Sequence, residues 1–158
     1  MTNESASAHT SESGDNARRN PFRVAPGFES IYSHGVEVPP ASRLLFISGQ
    51  VGVTPRDEIP REFAQQFEQA IANLLLVLAS AGMVNTDLVK LTFYVTRAED
   101  LSELGEIRRR RLALGTAVTT LVVAGLARPE LLVEVEGVAA RPVAARAQVN
   151  LPGNGMGD

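Results

Sequence analysis

Two carboxylates one residue apart are the first feature of this sequence with chemical potential. In Leu131–Ala139, LLVEVEGVA, side chains of an extended chain alternate with a period of two. Val133 and Val135 therefore share one face, and Glu134 and Glu136 share the other. Such a pair is either the solvated side of a half-buried strand or a boundary between subunits, where a carboxylate can polarise a water or move a proton. A second candidate is Tyr32-Ser33-His34-Gly35, set between two strand-like stretches. A loop there either offers a phenol and an imidazole to a pocket or is a turn with exposed polar tips. The run Arg108–Arg111 looks at first like a nucleic-acid patch. Consecutive helical residues fan out by about 100° each, however, so the four cannot all face one phosphate backbone. With Glu103 and Glu106 close by, a solvated helix face or salt links between subunits is the favoured role.

The elements that must position these groups can be read from periodicity and breakers. Short strands are expected near Phe22–Ala25, Gly35–Val38 and Arg43–Ser48, separated by Pro26-Gly27 and Pro39-Pro40. Ser48-Gly49-Gln50 ends the third, and Gly49 there marks a bulge or a close backbone approach. From about Pro60 to Ala81, Phe63, Phe67, Ile71, Leu74, Leu75 and Leu78 recur at spacings of three and four, the stripe of a helix packed on a sheet. Gly82 suits its end. Leu88–Thr96 reads as a mostly buried strand, and a second helix is expected from Glu99 to Leu114, with Arg108 and Arg111 sampling its sheet-facing side and Gly115 stopping it. Thr119–Ala124 and Leu131–Ala139 read as two paired strands joined by a loop with Gly125 and Pro129, and Arg141-Pro142 is expected to close the sheet. The order favours an α+β layer in which two helices cover one face of a mixed sheet, leaving the other face in need of cover.

Bulk properties bound the function. The 158 residues, with 44% hydrophobic content and a net charge of −3, suit one domain with flexible ends. That domain is placed at residues 21–147, with polar tails at 1–20 and 148–158. His9 lies in the first tail and receives no role. The charge gives no general attraction to nucleic acid or to an anionic membrane, so neither is an expected partner. Without cysteine there is no disulfide framework, thiolate nucleophile or thiolate metal site. The N-terminus has no apolar leader, and the longest apolar run, Leu74–Ala79, is too short to cross a bilayer. A cytoplasmic, soluble protein is the expectation.

Five segments in order, YSHGVEV (Tyr32–Val38), LLFISGQVGVTP (Leu44–Pro55), LLLVLASAGM (Leu74–Met83), DLVKLTFYVTRAEDL (Asp87–Leu101) and AGLARPELLVEVEGVA (Ala124–Ala139), resemble the reactive intermediate deaminase, or YjgF-like, family. The resemblance covers roughly Phe22 to Arg141. It implies a chorismate-mutase-like fold, a homotrimer whose neighbours cover the open sheet face, and small-molecule sites in the clefts between subunits. Deaminating members hydrolyse 2-imino or 2-enamino acids to 2-keto acids and ammonia, without metal or other cofactor. The resemblance assigns ligand binding to Tyr32 and a catalytic carboxylate to Glu136. It also places the substrate-carboxylate arginine at Val118, and an acidic residue at Val122. Valine cannot hold a carboxylate, so the pocket is expected to be more apolar, with Thr119 and Thr120 suited to a polar neutral ligand. Arg128, Arg141 or a second-helix arginine of a neighbouring subunit are the candidate replacements. Two functions follow: an enzyme acting on an altered imine, enamine or related carbonyl compound, with Glu136 catalytic and Tyr32, Val118 and Thr120 lining the substrate site, or a binding or regulatory protein on the same trimeric scaffold.

Overall fold

The computed structural model describes residues 15–20, 24 and 31–143. Two short strands, β1 (Ala17–Arg19) and β2 (Gly35–Glu37), pair antiparallel. The last residues of the stretch expected as a tail therefore have regular structure. The main sheet holds β3 (Ser42–Val51), β4 (Leu88–Val95), β5 (Ala117–Val122) and β6 (Val133–Pro142), in the order β3-β6-β4-β5. Within it β4 and β5 run parallel, and the helix α2 (Leu101–Arg111) makes the crossover such a pair requires. Helix α1 (Phe63–Ser80) connects β3 to β4. Of the strand expected at Phe22–Ala25, all but Val24 lies outside the described residues, as do His9 and the segment 148–158.

Two expectations about the sheet are corrected. β5 and β6 are consecutive in sequence but are not neighbours, because β4 lies between them and pairs with both. The crossover through α2 lands β5 on the outer edge of β4, and the chain then returns to insert β6 beside β3. The Arg141-Pro142 pair does not follow the sheet. Both residues belong to β6, opposite Arg43 and Ser42.

The core lies between the sheet and the helices. Phe67, Ile71, Leu74 and Leu78 of α1 pack against Leu91, Phe93 and Val95 of β4 and Val133 and Val135 of β6, with Leu104 and Ile107 from α2. Phe67 and Phe93 meet edge to face, with ring centroids 5.6 Å apart. Helix α1 closes as its sequence predicts: Gly82 adopts φ 68°, Gly82 N–H donates to the Ala79 carbonyl at 2.9 Å, and Met83 N–H donates to that of Leu78 at 3.0 Å. Helix α2 stops at Arg111, earlier than expected. The Asn85 side chain donates to the Arg111 carbonyl and accepts from Ala113 N–H, both at 3.0 Å, and so closes the helix end before Gly115. Gly115, at φ 86°, instead lies in the turn into β5, where the Arg18 guanidinium fills the space a Cβ would need.

The other face of the sheet has no covering element among the described residues. Although Leu88–Thr96 reads as mostly buried, its apolar residues from Leu91 onward lie on the core side. Lys90, Thr92 and Tyr94 alternate with Leu91, Phe93 and Val95 and point away from the helices. Beside them stand Glu134 and Glu136 of β6 and, from β3, Phe46, which is 74% exposed.

Candidate functional site

On the open face, Glu136 is the centre of a polar cluster. Register places it opposite Thr92, and its Oε1 accepts a hydrogen bond from the Tyr94 hydroxyl at 3.0 Å. A hollow of about 250 Å³ opens over it, walled by Phe46, Ser48, Lys90, Thr92, Glu136 and Val138. The hydrogen bond to the carboxylate, reinforced by burial and by the charges of Glu136 and Glu134, raises the Tyr94 phenol above its ordinary 10.0. Burial lowers the Lys90 ammonium from its usual 10.5, against the opposing attraction of Glu136. Lys90 Nζ also donates to the Thr119 hydroxyl. A carboxylate with a phenol on one oxygen and an ammonium nearby keeps acceptor capacity for a water, which is what general-base work requires.

Glu134 shares this face but lies over Gly49. A Cβ at Gly49 would overlap the Glu134 carboxylate, and the register of β3 on β6 shifts between Ile47 and Gln50. Gly49 thus serves both a bulge and a close approach.

Tyr32, Val118 and Thr120 come together elsewhere. They line a second cavity of about 360 Å³ with Leu101, Leu104 and Arg108 of α2. Ser33 fixes the Tyr32 segment at the start of β5: it bridges Ala117 and donates its N–H to the Thr116 carbonyl at 3.1 Å. The His34 ring lies edge-on to Tyr32 at 5.5 Å, outside the cavity wall. In β4–β5 register, Val118 stands beside Leu91 and Thr120 beside Phe93, both core-facing, whereas Thr119 stands beside Thr92. The two threonines therefore serve opposite faces. So do the nominated ligand and catalytic groups: Tyr32, Val118 and Thr120 lie on the helix side of the sheet and Glu136 on the open side.

The replacement arginines resolve differently. Arg128 is paired with Asp57 at 2.9 Å, and Arg141 with Asp87 at 3.2 Å and with the Gly82 carbonyl. Arg111 reaches Glu68, leaving the run spread around the helix as its spacing requires. Arg108 alone of the run turns inward. Its Nη2 donates to the Ile31 carbonyl at 2.8 Å, and burial, then repulsion from Arg109, lower its pKa from the ordinary guanidinium value. The signal was present in the sequence: Leu101, Leu104 and Arg108 follow spacings of three and four on one stripe. The polar alternation Lys90, Thr92, Tyr94 is equally visible in the sequence as one face of the strand.

The described residues form a two-layer α+β domain with one hollow beside Glu136 and another beside Arg108. The sequence profile of the Endoribonuclease L-PSP family matches residues 22–141, and the chain belongs to that family, the reactive intermediate deaminase or YjgF-like proteins. The structure is similar to that of the conserved Rid-family protein YyfB from Yersinia pestis, with a TM-score of 0.68 and 31% identity, covering 80% of this chain and 98% of that one. It is also similar to Escherichia coli TdcF with bound serine, with a TM-score of 0.59 and 25% identity over 72% of this chain and 94% of that one. In sequence it is 33% identical over 85 residues to the 2-iminobutanoate/2-iminopropanoate deaminase of Rattus norvegicus, covering 52% of this chain and 60% of that protein. The chain spans 59% to 65% of the length of the first curated relatives it matches.

Proposed function

We propose that this chain is a small-molecule enzyme that adds water to an imine, enamine or related carbonyl intermediate, in a cleft formed between subunits of a homotrimer. One observation carries the reading: Glu136 and the Tyr32 cavity lie on opposite faces of one sheet, and the face of Glu136 has no covering element among the described residues. A second copy seated on the open face would bring its β5 edge and Tyr32 pocket toward the Glu136 hollow. Phe46 and Leu44, both exposed on that face, would be covered by the same contact.

In the reaction, the water oxygen bonds to the imine carbon and the C–N bond breaks. Glu136 takes one proton from the water and passes it to the nitrogen, giving a carbinolamine, then takes the hydroxyl proton and passes it to the same nitrogen as the C–N bond breaks, so that ammonia leaves and a carbonyl forms. Tyr94 holds one carboxylate oxygen in place, and Tyr32 orients the ligand. Val118 supplies no charge on β5, so a 2-imino acid held by a strand arginine is not the substrate geometry. The name of the rat relative, a 2-iminobutanoate/2-iminopropanoate deaminase, supports the imine chemistry. An RNA track gains no support from the arginine run, since Arg108 is buried and Arg110 and Arg111 lie near Glu68.

The test generates imines in place from a range of amino acids with an oxidase and traps the survivors with semicarbazide, with sedimentation run in parallel. Faster imine loss by a trimer, reduced about 10²- to 10⁴-fold in Glu136→Gln, is the expected result. No acceleration by the trimer would instead favour a ligand-binding or regulatory protein, and a monomer would remove the cleft altogether.

A further inference from the structure

Of the 15 lysine and arginine residues in the sequence, Lys90 is the one lysine. Arginine supplies every other fixed positive side chain, and a guanidinium keeps its proton, whereas a lysine amine can lose its proton and attack carbon. The fold sets this amine in the hollow of about 250 Å³ on the open face, with Ser48, Thr92 and Glu136 beside it and Phe46 and Val138 as apolar walls. In β4–β6 register Lys90 stands opposite Val138 and Thr92 opposite Glu136, so amine and carboxylate are diagonal neighbours on one face. Lys90 Nζ donates to the neutral Thr119 hydroxyl, and burial enlarges its uncharged fraction against the attraction of Glu136.

We propose that Lys90 is a nucleophilic amine that takes a small uncharged aldehyde as a Schiff base in this hollow. The Lys90 nitrogen bonds to the carbonyl carbon. Glu136 takes one proton from that nitrogen and passes it to the carbonyl oxygen, giving a carbinolamine, then takes the second and passes it to the hydroxyl as the C–O bond breaks. Water leaves, and a C=N bond to Lys90 remains. Hydrolysis reverses the same steps and frees the amine. Tyr94 holds Glu136 through its 3.0 Å hydrogen bond. The ligand class follows from the face: Glu134 and Glu136 repel an anion, and Phe46 and Val138 meet a short alkyl chain. This activity goes beyond the proposed imine hydrolysis, in which water attacks the carbon and Lys90 forms no bond to it.

The experiment incubates the full chain with butanal and Nα-acetyl-lysine together, quenches samples over time with borohydride, and locates the butyl groups by peptide mass spectrometry. The peptide carrying Lys90 should be labelled roughly tenfold or more faster than acetyl-lysine, an ordinary exposed amine. With glyoxylate, an aldehyde that carries a carboxylate, this ratio should fall. Glu136→Gln should slow labelling of Lys90 by at least about tenfold if the carboxylate carries protons, whereas removing a mere attracting charge would enlarge the amine fraction and speed it. Far-UV circular dichroism checks that the variant is folded, and the comparison on the native chain does not depend on it. Labelling of Lys90 no faster than of acetyl-lysine, an undiminished ratio with glyoxylate, or undiminished labelling in folded Glu136→Gln overturns the inference. The oxidase assay reads imine loss without any adduct on Lys90, so the two activities fail separately.

Discussion

Gln66 ties the helix layer to the strand that carries Glu136, so replacing it tests how the site is held. The residue is 1% exposed, and its amide makes three hydrogen bonds, each of 2.8 Å. Nε2 donates to the carbonyls of Pro60 and Glu130, and Oε1 accepts from Leu132 N–H, immediately before β6. Gln66→Leu keeps the volume and removes all three. At about 1 kcal/mol net for each bond the loss is about 3 kcal/mol, and the added apolar burial returns about 1 kcal/mol, for a net cost of about 2 kcal/mol. The carbonyl of exposed Glu130 can turn to water, which limits the loss, whereas Leu132 N–H is held in place by the following strand. Urea unfolding followed by far-UV circular dichroism suits a chain with no tryptophan, at one fixed chain concentration for both proteins. The midpoint should fall with an unchanged slope. A loss below about 0.5 kcal/mol would refute the assignment of Gln66 as the clamp on β6, since one ordinary net hydrogen bond is worth more.

Three further predictions follow from single contacts. Gly52→Ala should destabilise by about 1–3 kcal/mol in the same unfolding assay, because its Cβ would lie 2.5 Å from the Gln66 Cα and carbonyl oxygen of α1, whereas Gly125→Ala, with nothing within 4 Å, should be close to neutral. Asn85→Ala removes both bonds that close α2 and should lower stability by about 1–2 kcal/mol, with faster amide exchange at Ala113. Tyr94→Phe should alter the alkaline limb of stability. The Tyr94 pKa is raised in the fold, so its contribution is fully present below the unfolded value of 10.0 and is lost as pH rises through the raised folded value. Melts of the native chain and of the Tyr94→Phe variant should therefore converge above pH 10.0, and a gap independent of pH would refute the assignment.

The fold was legible where one residue pattern answers to one local geometry. The α1 stripe, its Gly82 terminus and the alternation of Val133, Glu134, Val135 and Glu136 each report a neighbour a few residues away. What the pattern did not carry was partnership over distance. β5 and β6 are both plausible strands on either side of one loop, and nothing in Thr119–Ala124 states that β4 will take the place between them. The early end of α2 is of the same kind. It is written by Asn85, which lies 26 residues before Arg111 in the chain.

The candidate site divides along the same line. Tyr32, Val118 and Thr120, expected together at a substrate site, do meet at one cavity, through the parallel β4–β5 pairing and the Ser33 bridge. Glu136 is expected beside them, but two-residue alternation across β4 puts it beyond the sheet, so no rotamer of one chain can unite acid and pocket. Val118 can be read at its own position on β5. That it shares a cavity with Arg108 can be read only after the crossover has turned α2 back over β5. The two residues are coupled through a shared volume, not through sequence separation, and mutations at the pair should accordingly fail to add.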